Sequence, residues 1–145
     1  MRALLVALVS LAACDDPKTP TPEQRASLRV PLPDGWRAAA MSGGLQVGPQ
    51  GRVVLQLEST TRPLPDAATF LHALEAEGVE VLQKESVDTF VGARYSVSGE
   101  GTKRDAFVGV RQTGPRTIWC STTASAKRDE VEAAMTVCRS LSWEG

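Results

Sequence analysis

One hundred and forty-five residues, 42% hydrophobic and 23% charged, suffice for one globular domain and are too few for two with well-buried cores. The 16 Lys and Arg against 17 Asp and Glu give a formal charge of −1, which removes the electrostatic case for a nucleic-acid binder. A single His and three Cys leave little metal chemistry, so no cofactor is expected.

The chain opens with Met1-Arg2, a minimal positive start, followed by the apolar run at residues 3–13. That length suits the core of a signal peptide and is too short for a spanning helix, which needs about 20 apolar residues. The run ends in Leu11-Ala12-Ala13-Cys14, which resembles the lipobox of bacterial lipoproteins. In that reading residues 1–13 are removed and Cys14 carries the lipid. The alternative is an ordinary signal peptide whose small-residue cleavage site sits beside a cysteine. Asp15 resembles the inner-membrane retention signal of enterobacterial lipoproteins, but that rule varies between bacterial groups, so either membrane remains open. Residues 15–27 read DDPKTPTPEQRAS, with three prolines and almost nothing to bury, and predict a flexible tether.

A single domain is expected over 28–145. Leu28-Arg29-Val30-Pro31-Leu32 leads into Pro33-Asp34-Gly35, a turn in which Pro sets φ, Asp bonds locally and Gly takes positive φ. A short strand at 36–41 and a small hairpin element at 45–47, bracketed by glycines, follow. In 53–58, Val53, Leu55 and Leu57 alternate with Gln56 and Glu58, the clearest period-2 strand of the chain. Pro63-Leu64-Pro65-Asp66 then starts a helix over 66–77, with Asp66 as N-cap, Ala67, Phe70, Leu71 and Leu74 on one stripe, and Gly78 as the stop.

Strands are predicted next at 79–82, 93–99, 106–111 and 116–123, joined by short turns that suit antiparallel neighbours. A last helix over 127–141 repeats Val131, Ala134, Met135, Cys138 and Leu141 at three and four, and Asp129 with Glu132 resembles a capping box. Strands in succession with helices at the middle and end predict an α+β fold, an antiparallel sheet flanked by helices.

Cys120 and Cys138 remain once Cys14 is assigned to lipid, and an even pair in an exported domain predicts a disulfide. Two buried free thiols are the alternative, and without a Cys-x-x-Cys a redox pair is not favoured. His72 reads as a solvated helix residue. A triad using it needs only spatial proximity, but nothing here has nucleophile-elbow spacing. Glu75, Glu77, Glu80 and Glu85 read as a solvated face. Gly99-Glu100-Gly101-Thr102-Lys103-Arg104 lacks phosphate-loop spacing and reads as a hairpin tip. Trp36 and Trp119 are expected mostly in the core, with Trp119 and Cys120 on opposite strand faces. Trp143 is expected as a lid over the last helix, and Trp36 and Trp143 are the candidate interaction residues.

From Val30 onward the order of features resembles the PsbP-like superfamily, the Mog/PsbP/DcrB type of domain. The pieces that carry this are Leu32-Pro33-Asp34-Gly35-Trp36, the strand at 53–58, a helix after a Pro-Asp step, Gly92-Ala93-Arg94-Tyr95 leading a strand, and a final helix ending Cys138-Arg139-Ser140-Leu141. The resemblance implies a PsbP-like sandwich and a binding, assembly or chaperone-like factor without an active site. It places no functional residue here, and the cysteine pair is not a general feature of that family.

The functional expectation is therefore a membrane-anchored bacterial lipoprotein, a non-enzymatic binding or assembly module of the cell envelope. It would face the periplasm or exterior, with an envelope protein as partner and no nucleic acid. The alternatives are a small-ligand carrier with an apolar pocket between sheet and helices, and a hydrolase using His72.

Overall fold

Turn and cap chemistry sets the element boundaries in the structure, a computed structural model that describes residues 28–144. The expected signal segment at residues 1–13, Cys14 and the expected tether at residues 15–27 lie outside the described residues. In chain order the elements are β1 (Leu28–Arg29), β2 (Trp36–Met41), β3 (Gly44–Pro49), β4 (Leu55–Thr60), α1 (Ala67–Ala76), β5 (Glu80–Val87), β6 (Phe90–Gly99), β7 (Thr102–Thr113), β8 (Arg116–Thr122), α2 (Arg128–Arg139) and β9 (Ser142–Trp143). Gly35 takes φ 81° and Trp36 N–H donates to the Pro33 carbonyl at 3.1 Å, closing the expected Pro-Asp-Gly turn.

The fold is α+β, with a seven-stranded antiparallel sheet in the order β2-β3-β4-β8-β7-β6-β5 and, among the described residues, two helices. The meander β5 to β8 folds back so that β8 pairs with β4 in the middle of the sheet, leaving β2 and β5 as edges. Strands β5, β6 and β7 are longer than predicted, because the pairing of Phe90–Gly99 with Thr102–Arg111 extends through polar residues that carry no apolar alternation. The short pair β1–β9, in which Leu28 lies opposite Trp143, was not predicted. Two-residue strands carry no periodicity to read.

Alternation sends the two sides of each strand into two separate cores. Leu55, Leu57, Phe90, Phe107, Ile118 and Cys120 pack with Val131, Ala134, Met135 and Cys138 of α2 on one face. Val91, Ala93 and Val110 pack with Phe70 and Leu74 of α1 on the other. On the α2 face the stacked rings of Phe90 and Phe107, with centroids 6.4 Å apart, lie over Gly92 and Gly109.

Helix α1 begins as predicted. The Asp66 carboxylate accepts from Thr69 N–H at 3.1 Å and from Thr69 Oγ1 at 3.2 Å, and Gly78 follows the C-cap with φ 81°. Helix α2 differs from expectation at its start: the cap is at Lys127, and Glu130, not Asp129 or Glu132, reaches back to accept from Lys127 N–H at 2.9 Å. Glu130 sits three residues after the cap, the position from which a carboxylate reaches the cap N–H.

Candidate functional site

Charge pairing and a covalent bond hold α2 on its face of the sheet. Cys120 and Cys138 form a disulfide, with Cα atoms 6.2 Å apart and both residues fully buried. Arg52, in the β3–β4 turn, makes a two-pronged ion pair with Glu130, one prong at 2.8 Å. Arg94 on β6 donates to Asp105 at 2.6 Å and to Glu132 at 3.1 Å, and Arg139 pairs with Glu85 on the edge strand. The hydrogen bond from Arg52 holds the Glu130 carboxyl below the usual carboxylate range despite its burial, and Lys127 N–H adds to the effect. The Arg94 guanidinium is pushed up in turn, chiefly by its bond to Asp105. On this side α2 and the sheet share one buried core, in which Leu55, Leu57, Ile118 and Cys120 meet Val131, Ala134, Met135 and Cys138.

The α1 face is different because α1 is short and buries only Phe70 and Leu74. It lies over β5 and β6, reaches Val110 of β7 and Trp119 of β8, and, among the described residues, leaves β2, β3, β4 and the rest of β8 uncovered on this face. Strand register fixes what that half displays. One row across the strands is Ala39, Gln46, Gln56, Ser121 and Val108. The next row is Met41, Gly44, Glu58, Trp119 and Val110. Strands lie about 4.8 Å apart and rows roughly 6.6 Å apart, so these side chains form a compact lattice.

A groove of about 180 Å³ runs along these rows, lined by Met41, Gln56, Glu58, Arg62, Val108, Trp119 and Ser121. Arg62 stands over the Trp119 ring, with Cζ 5.8 Å from its centroid, and Thr60 Oγ1 accepts from its backbone N–H at 3.1 Å and from its Nε at 3.5 Å. Phe70 of α1 packs against the same indole at 6.1 Å. The indole Nε1 is buried without an acceptor. Among the described residues, the side chains of Gln56, Glu58 and Ser121 make no hydrogen bond to other side chains. Gly44 is required here because a Cβ would collide with the Leu57 carbonyl.

A second groove, of about 240 Å³, lies on the far side of α1, lined by Leu71, Glu75, Val81, Leu82, Gln83 and Lys84. Leu82 sits at a register shift between Val81 and Gln83 and is 49% exposed; Val87, at the end of the same edge strand, is 58% exposed. The bulge turns Leu82 out of the ladder, so this edge presents apolar surface to solvent.

The candidate residues of the sequence fall as follows. Trp36 is half-buried against the α2 core, and the Trp143 ring lies against Gly114 in the β7–β8 turn. The large exposed apolar side chains among the described residues are Leu32, Leu82 and Val87. Trp119 and Cys120 do face opposite sides, and Trp119 is half-buried, packed against the core beneath α1. His72 is exposed on α1. Of the acidic cluster, Glu85 pairs with Arg139 and Glu80 lies 3.9 Å from Lys103, while Glu75 and Glu77 are exposed. Gly99–Arg104 spans the tip of the β6–β7 hairpin, where Glu100 and Gly101 both take positive φ. Among the described residues no three His, Cys, Asp or Glu side chains gather as a metal site.

Sequence reading did not find the open-face groove. Gln56 and Glu58 read as a solvated strand face, and Ser121 joins them only because β8 returns beside β4. No protein-family model and no curated protein matches the chain. Among solved structures, LpqN, described as involved in cell envelope biogenesis of Mycobacterium tuberculosis, aligns with a TM-score of 0.47 and 18% sequence identity. The alignment covers 90% of this chain and 87% of that chain.

Proposed function

We propose that this protein is a bacterial lipoprotein of the cell envelope, a non-enzymatic binding or assembly module held on a membrane by a lipid on Cys14. Its folded part is read as a PsbP-like domain carried on the tether at residues 15–27 and facing the periplasm or exterior. Its partner is an envelope protein. The lipobox-like Leu11-Ala12-Ala13-Cys14 supports the anchor, and several acyl chains, at about 0.8 kcal/mol per buried CH₂, hold a protein far more firmly than one.

The observation that carries the binding reading is the unequal dressing of the two sheet faces. One face is sealed by a helix with a disulfide and ion pairs, and the other bears a short helix flanked by grooves and an edge strand with Leu82 and Val87 exposed. Exposed apolar surface rimmed by Glu75, Gln83 and Lys84 has the composition of a protein-contact patch. The test is mild crosslinking in native membranes followed by capture of the intact protein, alongside Cys14→Ser and Leu82→Glu. An envelope protein captured by the wild type and lost in both variants is the expected result. Capture that ignores Leu82→Glu would remove this patch from the reading, and a Cys14→Ser protein that stays on the membrane would remove the anchor.

A further inference from the structure

We infer that the groove beside Trp119 is a binding site for a hydroxyl-rich ligand, one pyranose unit of a glycan. It is a different surface from the Leu82 patch, on the other side of α1, and stands apart from the identity of any protein partner. The contrast with the α2 face leads to it. There the guanidiniums of Arg52, Arg94 and Arg139 are each matched to carboxylates. In the groove, Gln56, Glu58, Arg62 and Ser121 converge with no charge partner among the described residues, beside the half-buried ring of Trp119.

The donor and acceptor set selects the ligand. Arg62 only donates, Glu58 only accepts, and Gln56 and Ser121 do both. A sugar hydroxyl also does both, so neighbouring hydroxyls on a ring can satisfy this mixture, whereas an anion would face Glu58 and a cation would face Arg62. A lipid chain would strip water from these groups and return no hydrogen bonds. The planar amide, carboxylate and guanidinium each offer paired positions that match two adjacent hydroxyls. Met41, Val108 and Trp119 supply apolar surface for the C–H face of a ring.

Size points the same way. The groove, at about 180 Å³, is smaller than the 300–1,000 Å³ of typical drug-sized pockets and suits a single ring. The two rows of side chains, separated by one strand repeat, place Gln56 and Ser121 on one flank and Glu58 and Trp119 on the other. Gly44, with no side chain between Met41 and Glu58, keeps the floor of the second row low.

The test uses the full mature protein, ¹⁵N-labelled, in micelles of a sugar-free detergent, and follows the three indole N–H signals. The probes are the methyl pyranosides of glucose, galactose, mannose and N-acetylglucosamine, with open-chain sorbitol as control. We expect at least one pyranoside to shift the Trp119 indole signal saturably, that signal being assigned by its loss in Trp119→Phe. Gln56→Ala and Glu58→Ala should each weaken binding by about tenfold, with the Trp36 and Trp143 signals unmoved as proof of an intact fold. Silence of the Trp119 signal with all four pyranosides up to their solubility overturns the proposal. An equal response to sorbitol, or a response indifferent to both substitutions, overturns it as well. Any of these results leaves capture of a protein partner through Leu82 standing or falling on its own test.

Discussion

Trp119 and Cys120, adjacent in β8, face opposite sides of the sheet and tie the two helices to it in different ways. Cys120 is bonded to Cys138 of α2 within a fully buried core. Trp119 meets Phe70 of α1 and Arg62, at the rim of the open groove. One strand thus separates a sealed, covalently fastened layer from a half-covered layer, and the grooves belong to the second.

Loss of the disulfide should cost about 3 kcal/mol, the chain-entropy estimate for a loop of this length, since Cys120 and Cys138 are 18 residues apart. A Cys120→Ala/Cys138→Ala protein should therefore melt roughly 10 °C lower than the wild type. Calorimetry of both proteins checks this, and identical melting temperatures would show that the pair adds nothing to the folded state.

Gly109→Ala should destabilise the domain by about 1–3 kcal/mol. A Cβ at this position comes within 2.5 Å of Phe107 Cζ and 3.1 Å of Phe90 Cε1, and both rings are locked beneath α2. Gly99→Ala is the control, because nothing lies within 4 Å of its Cβ position. Urea denaturation of the two variants should separate them clearly, and equal midpoints would mean that the ring pair can shift freely.

Stability should fall on the acid side in a way that depends on Glu130. Its carboxyl is held down first by the hydrogen bond from Arg52 and then, against the opposing effect of burial, by Lys127 N–H and the nearby positive charges. The folded state therefore holds this proton less tightly than the unfolded state. The contribution is present above the ordinary glutamate value of about 4.3 and is lost as pH falls through the lower folded value. Glu130→Gln should cost stability at pH 7 and much less at pH 3, as read from urea midpoints at each pH. A penalty that is the same at both values would contradict the pairing.

Trp143→Ala should loosen the chain ends. Trp143 lies opposite Leu28 in the β1–β9 pair and its ring closes over Gly114, where a Cβ would meet it at 2.8 Å. For a half-buried indole the loss should be about 2 kcal/mol, less than for a fully buried one. Amide exchange should accelerate first in β1, β9 and the β7–β8 turn. A uniform change across the sheet would show instead that the pair is part of the global unfolding unit.

Much of the fold was legible because its causes are local. Pro33-Asp34-Gly35 closes a turn by its own backbone preferences, Asp66 caps α1 through a residue three positions on, and Gly78 stops it with a positive φ. The alternation of Leu55, Gln56, Leu57 and Glu58 announced a strand with two unlike faces. The capping residue of α2 was misplaced because several acidic residues, Asp129, Glu130 and Glu132, crowd the same turn and only the path of the preceding chain decides which one reaches back.

The linear order of residues thus settled the α+β class, the positions of most strands and both helices, and the candidate cysteine pair, since propensity, capping and periodicity act over a few residues. Tertiary structure alone decided that β8 returns beside β4, that α2 is clamped while α1 covers only part of its face among the described residues, and that Gln56, Glu58, Arg62, Trp119 and Ser121 share one groove. Those outcomes depend on contacts between residues some sixty positions apart. Such contacts form only when whole strand faces find partners that bury them, and no local pattern encodes that choice.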